Sequence, residues 1–392
     1  MQESIVIIAA QRTPMGAFQG SLSTVSAPLL GAAAIQGVLG FTGIAASAID
    51  EVYMGCVLSA GLAQAPARQA ALSAGLTEQT SCTTINKVCG SGMKAVMLAA
   101  DQLRVGNADV VIAGGMESMS NAPYLLHKAR SGYRMGHDQL YDHMFLDGLQ
   151  DAYDGQAMGF HAQNTADKYH LTRQAMDNFS LQSLNRARRA IDQGWFSAEI
   201  TPVIINTKKG ETIVDSDEQP ELAKPEKIPT LRPAFAEKGT ITAANASSIA
   251  DGASALMLTH QHKADVLGIA PIARIIDYTS YGLQSSEFTC APIGAINKIL
   301  LQQKLKPTDI DLVEINEAFA MVTMLAMQEV GFTAEQTNVA GGACALGHPL
   351  GSSGSRIIVT LIHNLLRQGK KRGLAALCIG GGEATAILVE LV

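Results

Sequence analysis

The segment Gly90–Ser118, "GSGMKAVMLAADQLRVGNADVVIAGGMES", has a counterpart near the other end of the chain, Gly351–Ala384, "GSSGSRIIVTLIHNLLRQGKKRGLAALCIGGGEA". Each runs from a Gly/Ser turn into a helical pattern with an early basic residue, then through Leu-Arg and Gly to an apolar strand and a Gly pair. One small gap brings them into line. Five features in one order predict two homologous halves, each contributing a Gly-rich turn to a shared site. Around these copies, strand-like runs (Ile5–Ala10, Val110–Gly114, Asp311–Ile315, Ala375–Ile379) alternate with helical patterns in the first and last thirds. That alternation predicts an α/β layered architecture. The middle third, from about Ser118 to Ala246, is more charged. It carries Pro202, Pro220, Pro225, Pro229 and Pro233 and an amphipathic helix over Arg173–Gln193. It reads as an insertion with its own loops.

With 392 residues, 47% of them hydrophobic and 16% charged, the chain can build two or three packed units. A net charge of −6 without a basic patch makes nucleic acid an unfavourable partner. Cys56, Cys82, Cys89, Cys290, Cys344 and Cys378 form no CxxC pair or metal spacing. A reducing compartment, the cytoplasm, is therefore expected rather than a disulfide framework. The start, "MQESIVIIAAQRTP", reads as a buried strand and a turn and lacks the pattern of a secretory signal. No apolar run reaches bilayer length, so no membrane association is expected.

Four stretches carry chemistry-bearing residues. In "INKVCGSGMKAV", Cys89 stands where a loop hands over to a helix, where free N–H groups and the helix dipole favour a thiolate. Gly90 and Gly92 leave room for an approaching group. The residues are equally compatible with a packed cysteine beside a turn. His348, in "GGACALGHPLGSSGS", is the histidine most constrained by its neighbours and the candidate base. The other histidines (His127, His137, His143, His161, His170, His260, His262, His363) are expected mostly at the surface. Cys378 closes a strand-like run before "GGG", whose N–H groups could receive an oxyanion. A small apolar residue ending a buried strand fits it as well. In "EINEAFA", Asn316 either caps a helix or holds a water or an oxyanion.

Taken together, "VCGSGMKAV", "NEAFA", "GHPLGSSGSR" and "CIGGGEA", with "GTITAANASSIADGAS" and "AGGMESMS", resemble the thiolase family in order and spacing over essentially the whole chain. The resemblance implies an α/β thiolase fold: two homologous αβαβα-type core domains in a five-layered arrangement, with an inserted loop domain. The N-terminal core would comprise 1–118 and 249–269, the loop domain 119–248, and the C-terminal core 270–392. It further implies a two-step Claisen reaction of coenzyme A thioesters, with no metal and no tightly bound cofactor. Cys89 would accept the acyl group, His348 would activate it, and Cys378 would move the α-proton. Asn316 (through a water) and His348 would form one oxyanion site, and the N–H groups of Cys89 and Gly380 the other. Phe235, Ala243, Ser247, Ala318 and Phe319 would follow the coenzyme A path, with Met158 near the thioester and Phe288 beside the acyl pocket. The family is dimeric or tetrameric. The stretch "HKARSGYRMGHDQLYDHM" resembles its tetramer-forming loop, so a homotetramer is expected.

Three departures from the family pattern stand out. Ala157 occupies the place of a histidine before Met158. Glu221 falls near an expected nucleotide-end arginine, for which Lys224 or Lys227 could substitute. In "FTCAPIGA", Phe288 replaces a methionine. "DGLQDAY", Met158 and the bulk of Phe288 point to condensation of two acetyl-CoA molecules into acetoacetyl-CoA. Cleavage of longer 3-ketoacyl-CoA is the alternative, and a catalytically silent scaffold is a third. The decarboxylating ketoacyl synthases share the architecture but lack a cysteine at the place of Cys378.

Overall fold

The computed structural model describes residues 3–208 and 210–392. Its long strands are β1 (Ile5–Arg12), β2 (Glu51–Gly55), β3 (Ser81–Ile85), β4 (Val110–Ser118), β5 (Ala250–His260), β6 (Ala273–Gly282), β7 (Leu312–Ile315), β8 (Arg372–Ile379) and β9 (Glu383–Leu391). They form one ten-stranded sheet in the order β7-β8-β9-β6-β1-β5-β4-β2-β3, with the short strand Gly16–Ala17 pairing to β5. Reading inward from each side exposes the duplication. The set β2-β4-β5-β1 pairs parallel, antiparallel, antiparallel, and β7-β8-β9-β6 repeats that sequence of pairings. The two sets join through β1 and β6 at two residue pairs only, Val6↔Arg274 and Ile7↔Ala273.

The principal helices are α1 (Ala27–Thr42), α2 (Ser91–Arg104), α3 (Met158–Lys168), α4 (Arg173–Asp192), α5 (Ala291–Gln303), α6 (Ala320–Val330) and α7 (Leu350–Gln368). Helices α2 and α7 belong to the two copies of the repeat and together form the middle layer. Met93, Val96 and Leu103 of α2 and Ile357, Leu361 and Leu365 of α7 share one core with Ile7 and Val111 on one side and Leu377 and Val389 on the other. Outer layers complete a five-layered arrangement. Helix α1 covers one half through Leu30, Ile35 and Val38. Helices α5 and α6 cover the other through Ile296, Ile299 and Val330. A helix buried on both sides has no polar face to spare, and fifteen residues of α7, Arg356 included, are accordingly buried.

The two middle helices touch almost backbone to backbone. A Cβ on Gly354 would lie 2.4 Å from the Met93 nitrogen. Strand β4 runs on through Gly115 to Ser118, beyond the Val110–Gly114 expected from sequence, because its Gly pair is not a terminator. A Cβ at Gly115 would lie 1.9 Å from the Gly351 carbonyl oxygen, so the strand needs glycine where α7 begins. The helix expected at Arg173–Gln193 is present as α4, with the Thr172 side chain accepting the Ala175 N–H as its cap.

A buried ionic cluster ties β1 to the segment beyond α4. The Arg12 guanidinium donates to Glu199 Oε1 at 2.5 Å and to both Asp217 oxygens at 2.7 and 2.8 Å, with all three side chains almost wholly inaccessible. Arg12→Met leaves two carboxylates without their partner. It is expected to lower unfolding stability by about 3–5 kcal/mol, read as the shift in a urea midpoint. A shift below ~1 kcal/mol would show that the cluster contributes little.

Candidate active site

Cys89 is presented by a strained turn between β3 and α2. Val88 has φ +45, a conformation that costs a β-branched residue on the order of 1–3 kcal/mol. Local hydrogen bonds hold it there. The Val88 N–H donates to Asn86 Oδ1 (3.0 Å), the Ser91 hydroxyl to the Val88 carbonyl (2.6 Å), and the Gly90 N–H to the Lys87 carbonyl (3.0 Å). The backbone N–H groups of Gly380 and of Cys89 itself favour the charged form of the Cys89 thiol. The helix start does not produce the standing thiolate that the sequence alone predicts. Burial pushes the thiol up to about 11, outweighing those two N–H groups. The resting residue is a protonated thiol.

His348 comes from the second Gly-rich turn, just before α7, and is held by its own N–H donating to the Ser248 carbonyl at 2.9 Å. Burial and the Arg356 charge lower its pKa to about 3, so the resting imidazole is neutral. Its Nε2 is buried without a hydrogen-bond partner. Asn316 comes directly after β7, with Nδ2 3.5 Å from His348 Nδ1 and Oδ1 buried and unpartnered. It does not cap a helix, since α6 begins only at Ala320 with Phe319 as its cap residue. Beside Asn316, Glu317 accepts from Asn338 Nδ2 (2.8 Å), the Ser183 hydroxyl (2.7 Å) and the Cys344 N–H (3.0 Å). Its carboxylate thereby pins the loop leading to His348.

These residues surround one cavity of about 370 Å³. It is lined by Cys89, Met158, Phe235, Ala243, Ser247, Phe288, Ala318, Phe319, His348 and Gly380, among others. Cys378 and Asn316 stand behind the wall rather than on it. Cys378 is fully buried in the cluster that holds Met158, Phe288, Ala318 and Phe319, and burial, then the nearby Cys89, raises its thiol pKa well above normal. The surface is overwhelmingly apolar, as suits a ligand anchored by a few polar groups.

Sequence reasoning missed several lining residues. Phe145, Leu149, Ile249 and Leu350 also face the cavity, and as scattered apolar positions they carried no signal of their own. Ala157, where the resemblance led to the expectation of a histidine, lines it too. Two histidines expected at the surface are buried. His143 Nδ1 pairs with Asp147 Oδ2 at 2.5 Å, and His161 Nε2 lies 3.3 Å from Asp154. His161 sits in a neighbouring cleft with Asp151 and Ser285 and does not line the cavity. Lys224 and Lys227 are exposed and do not line the cavity.

A duplicated α/β chain that sets a turn-borne cysteine and a loop-borne histidine on one apolar cavity belongs to a narrow class of folds. Residues 5–262 match the model for the thiolase N-terminal domain and residues 269–391 that for the thiolase C-terminal domain. The chain belongs to the thiolase family. It is 47% identical over 387 residues to an acetyl-CoA acetyltransferase of Pseudomonas aeruginosa, covering 98% of each chain. To that of Escherichia coli it is 47% identical over 390 residues, covering 99% of each. Among solved structures, a thiolase from Ascaris suum in complex with coenzyme A superposes with a TM-score of 0.94 at 40% identity over the full length of both chains. The Bacillus anthracis acetyl-CoA acetyltransferase superposes with a TM-score of 0.97 at 37% identity, covering 100% of this chain and 99% of the other.

Proposed function

We propose that this chain is an acetyl-CoA acetyltransferase, condensing two acetyl-CoA molecules reversibly into acetoacetyl-CoA and coenzyme A through an acetyl group carried on Cys89. The observation that carries the reading is the convergence of Cys89, His348 and the Gly380 N–H on one apolar cavity with Cys378 directly behind it. Relatives of that name and a relative crystallised with coenzyme A support it.

Thiol and imidazole are both neutral at rest, so the first step needs proton transfer rather than a standing ion pair. The Cys89 proton passes to His348 Nε2 as sulfur attacks the acetyl carbonyl. The tetrahedral oxyanion meets the Gly380 and Cys89 N–H groups. Its collapse expels the coenzyme A thiolate, which takes the proton from His348. In the second step the Cys378 proton passes to His348 Nε2, and the resulting thiolate removes an α-proton from a second acetyl-CoA. The enolate oxygen is held by the protonated Nε2 of His348 and by a water on Asn316. The enolate carbon then attacks acetyl-Cys89, and acetoacetyl-CoA leaves as the Cys89 sulfur is released and takes the proton back from His348. Phe235, Ala243, Ser247, Ala318 and Phe319 guide the pantetheine arm, and Met158 meets the thioester.

Residues 119–248 act as the inserted loop domain between the core segments 1–118, 249–269 and 270–392. The arm around the Tyr124–Leu125 and Tyr141–Asp142 hairpin leaves Tyr124, Met135 and Leu140 exposed, and we assign it to contacts in a homotetramer. Free cysteines suit the cytoplasm. No described helix is long and apolar enough to cross a membrane.

Thiolysis kinetics with 3-ketoacyl-CoA substrates of four to sixteen carbons test the assignment. Buried Phe288 and Phe319 pack edge to face across the cavity wall, so kcat/KM is expected to fall as the chain lengthens, by about tenfold or more beyond the first added carbons. A rise with length would replace the short-chain reading with degradation of longer 3-ketoacyl-CoA. An inert enzyme at every length would leave the scaffold reading.

A further inference from the structure

We propose that Ser353 is the positioning residue of this site: its hydroxyl receives the Nδ1–H of His348, fixes the tautomer of the imidazole, and so leaves the Nε2 lone pair free on the cavity side. Nothing in the sequence motifs distinguished Ser353 from the small residues around it. The inference rests on the reading of His348 as the base of the reaction.

Three contacts decide the direction of the hydrogen bonds. Ser353 Oγ lies 2.6 Å from His348 Nδ1 and 2.9 Å from the Pro349 carbonyl oxygen, and the serine is fully inaccessible. A carbonyl oxygen can only accept, so the single hydroxyl proton of Ser353 is committed to Pro349. Towards the imidazole the same oxygen can then only accept, and Nδ1 must carry the proton. The remaining neighbour of Nδ1 is Asn316 Nδ2, at 3.5 Å, too long to compete with a 2.6 Å contact. A neutral imidazole carries one proton, so Nε2 is left as a bare acceptor, and it is the ring nitrogen that is buried without a partner.

The position of Ser353 comes from the helix that carries it. It lies in the first turn of α7, four residues after Pro349, whose carbonyl accepts the Ser352 and Ser353 N–H groups (3.0 and 2.9 Å) and the Ser353 hydroxyl as well. His348 immediately precedes that proline. Turn, base and positioning hydroxyl are thus one local unit, whose backbone is anchored by the Gly351 N–H donating to Glu117 at 2.8 Å. Without the hydroxyl, Nδ1–H would be buried and unpaired. The other tautomer, which puts the proton on Nε2 and faces Cys89 with a donor, would then gain population.

The test combines the native enzyme with two variants. In ¹⁵N-histidine-labelled wild type, with His348 assigned by the loss of its signals in His348→Asn, Nδ1 should be the protonated nitrogen and Nε2 the bare one. Ser353→Ala should slow acetylation of Cys89 by acetyl-CoA about 10- to 100-fold, the range seen when a group orienting a functional histidine is removed. KM for acetyl-CoA should stay within about twofold, since ground-state binding is untouched. Ser353→Thr, which keeps the hydroxyl, should recover most of the rate. A wild-type spectrum with the proton on Nε2 overturns the proposal even if neither variant folds. So does a Ser353→Ala enzyme that acetylates at the wild-type rate. If wild-type Cys89 takes no acetyl group at all, the acetyltransferase reading fails, and the spectrum still decides the role of Ser353.

Discussion

Cys89→Ser is expected to carry no acetyl group after incubation with acetyl-CoA and to lose turnover by on the order of 10⁴-fold or more, the scale seen when a nucleophile acting in concert with its base is removed. The physical reason lies in the resting state of the pair. Burial pushes the Cys89 thiol up to about 11, which is within reach of a positioned base during attack. A hydroxyl is several orders of magnitude less acidic than this thiol, so the same neutral imidazole would have to take a far less available proton. The substitution removes no packing of consequence, so the thermal midpoint should move by no more than about 2–4 °C. Mass spectrometry of the intact protein reads the adduct, and acetoacetyl-CoA formation reads the turnover. A serine variant that keeps turnover within about tenfold of wild type would place the acyl carrier elsewhere.

Cys378→Ala separates the two half-reactions. Cys89 should still be acetylated, with release of one coenzyme A per active site, because nucleophile, base and oxyanion donors are untouched. Condensation and thiolysis should fall about 10²–10⁴-fold, the contribution typical of a positioned proton-transfer group. Exchange of the α-protons of bound acetyl-CoA with heavy water should stop as well. Losing one buried sulfur costs about 1 kcal/mol of packing, which a stable fold tolerates. If acetylation of Cys89 failed to the same extent as condensation, Cys378 would be acting on the first step or on the shape of the site, and its role as α-proton carrier would be lost.

The duplication was legible because its signal is periodic and local. Each copy needs a small-residue turn, a helix and an apolar strand in that order, and such requirements survive as patterns in the chain. The candidate residues were legible for a related reason: Cys89, His348, Asn316 and Cys378 are polar or reactive groups at the ends of apolar runs. Cavity walls were only partly so. Phe145, Ile249 and Leu350 look like any core residue, and only the approach of distant segments turns them into lining. The histidines show the converse failure. His143 and His161 stand in charged or helical stretches that suggested exposure, yet packing buries both, each beside a carboxylate and off the cavity.

Local sequence thus determined the two-fold architecture and the chemical identity of the groups available, since helix, strand and turn preferences and side-chain chemistry are properties of short stretches. Protonation and direction were decided only by the assembled structure. Burial makes Cys89 a protonated thiol where its place before a helix predicted a thiolate. Desolvation depends on everything that surrounds a group, whereas the dipole depends only on the adjoining helix. The same enclosure keeps His348 neutral. The bond it forces between Nδ1 and the Ser353 hydroxyl then chooses the nitrogen that faces the reaction.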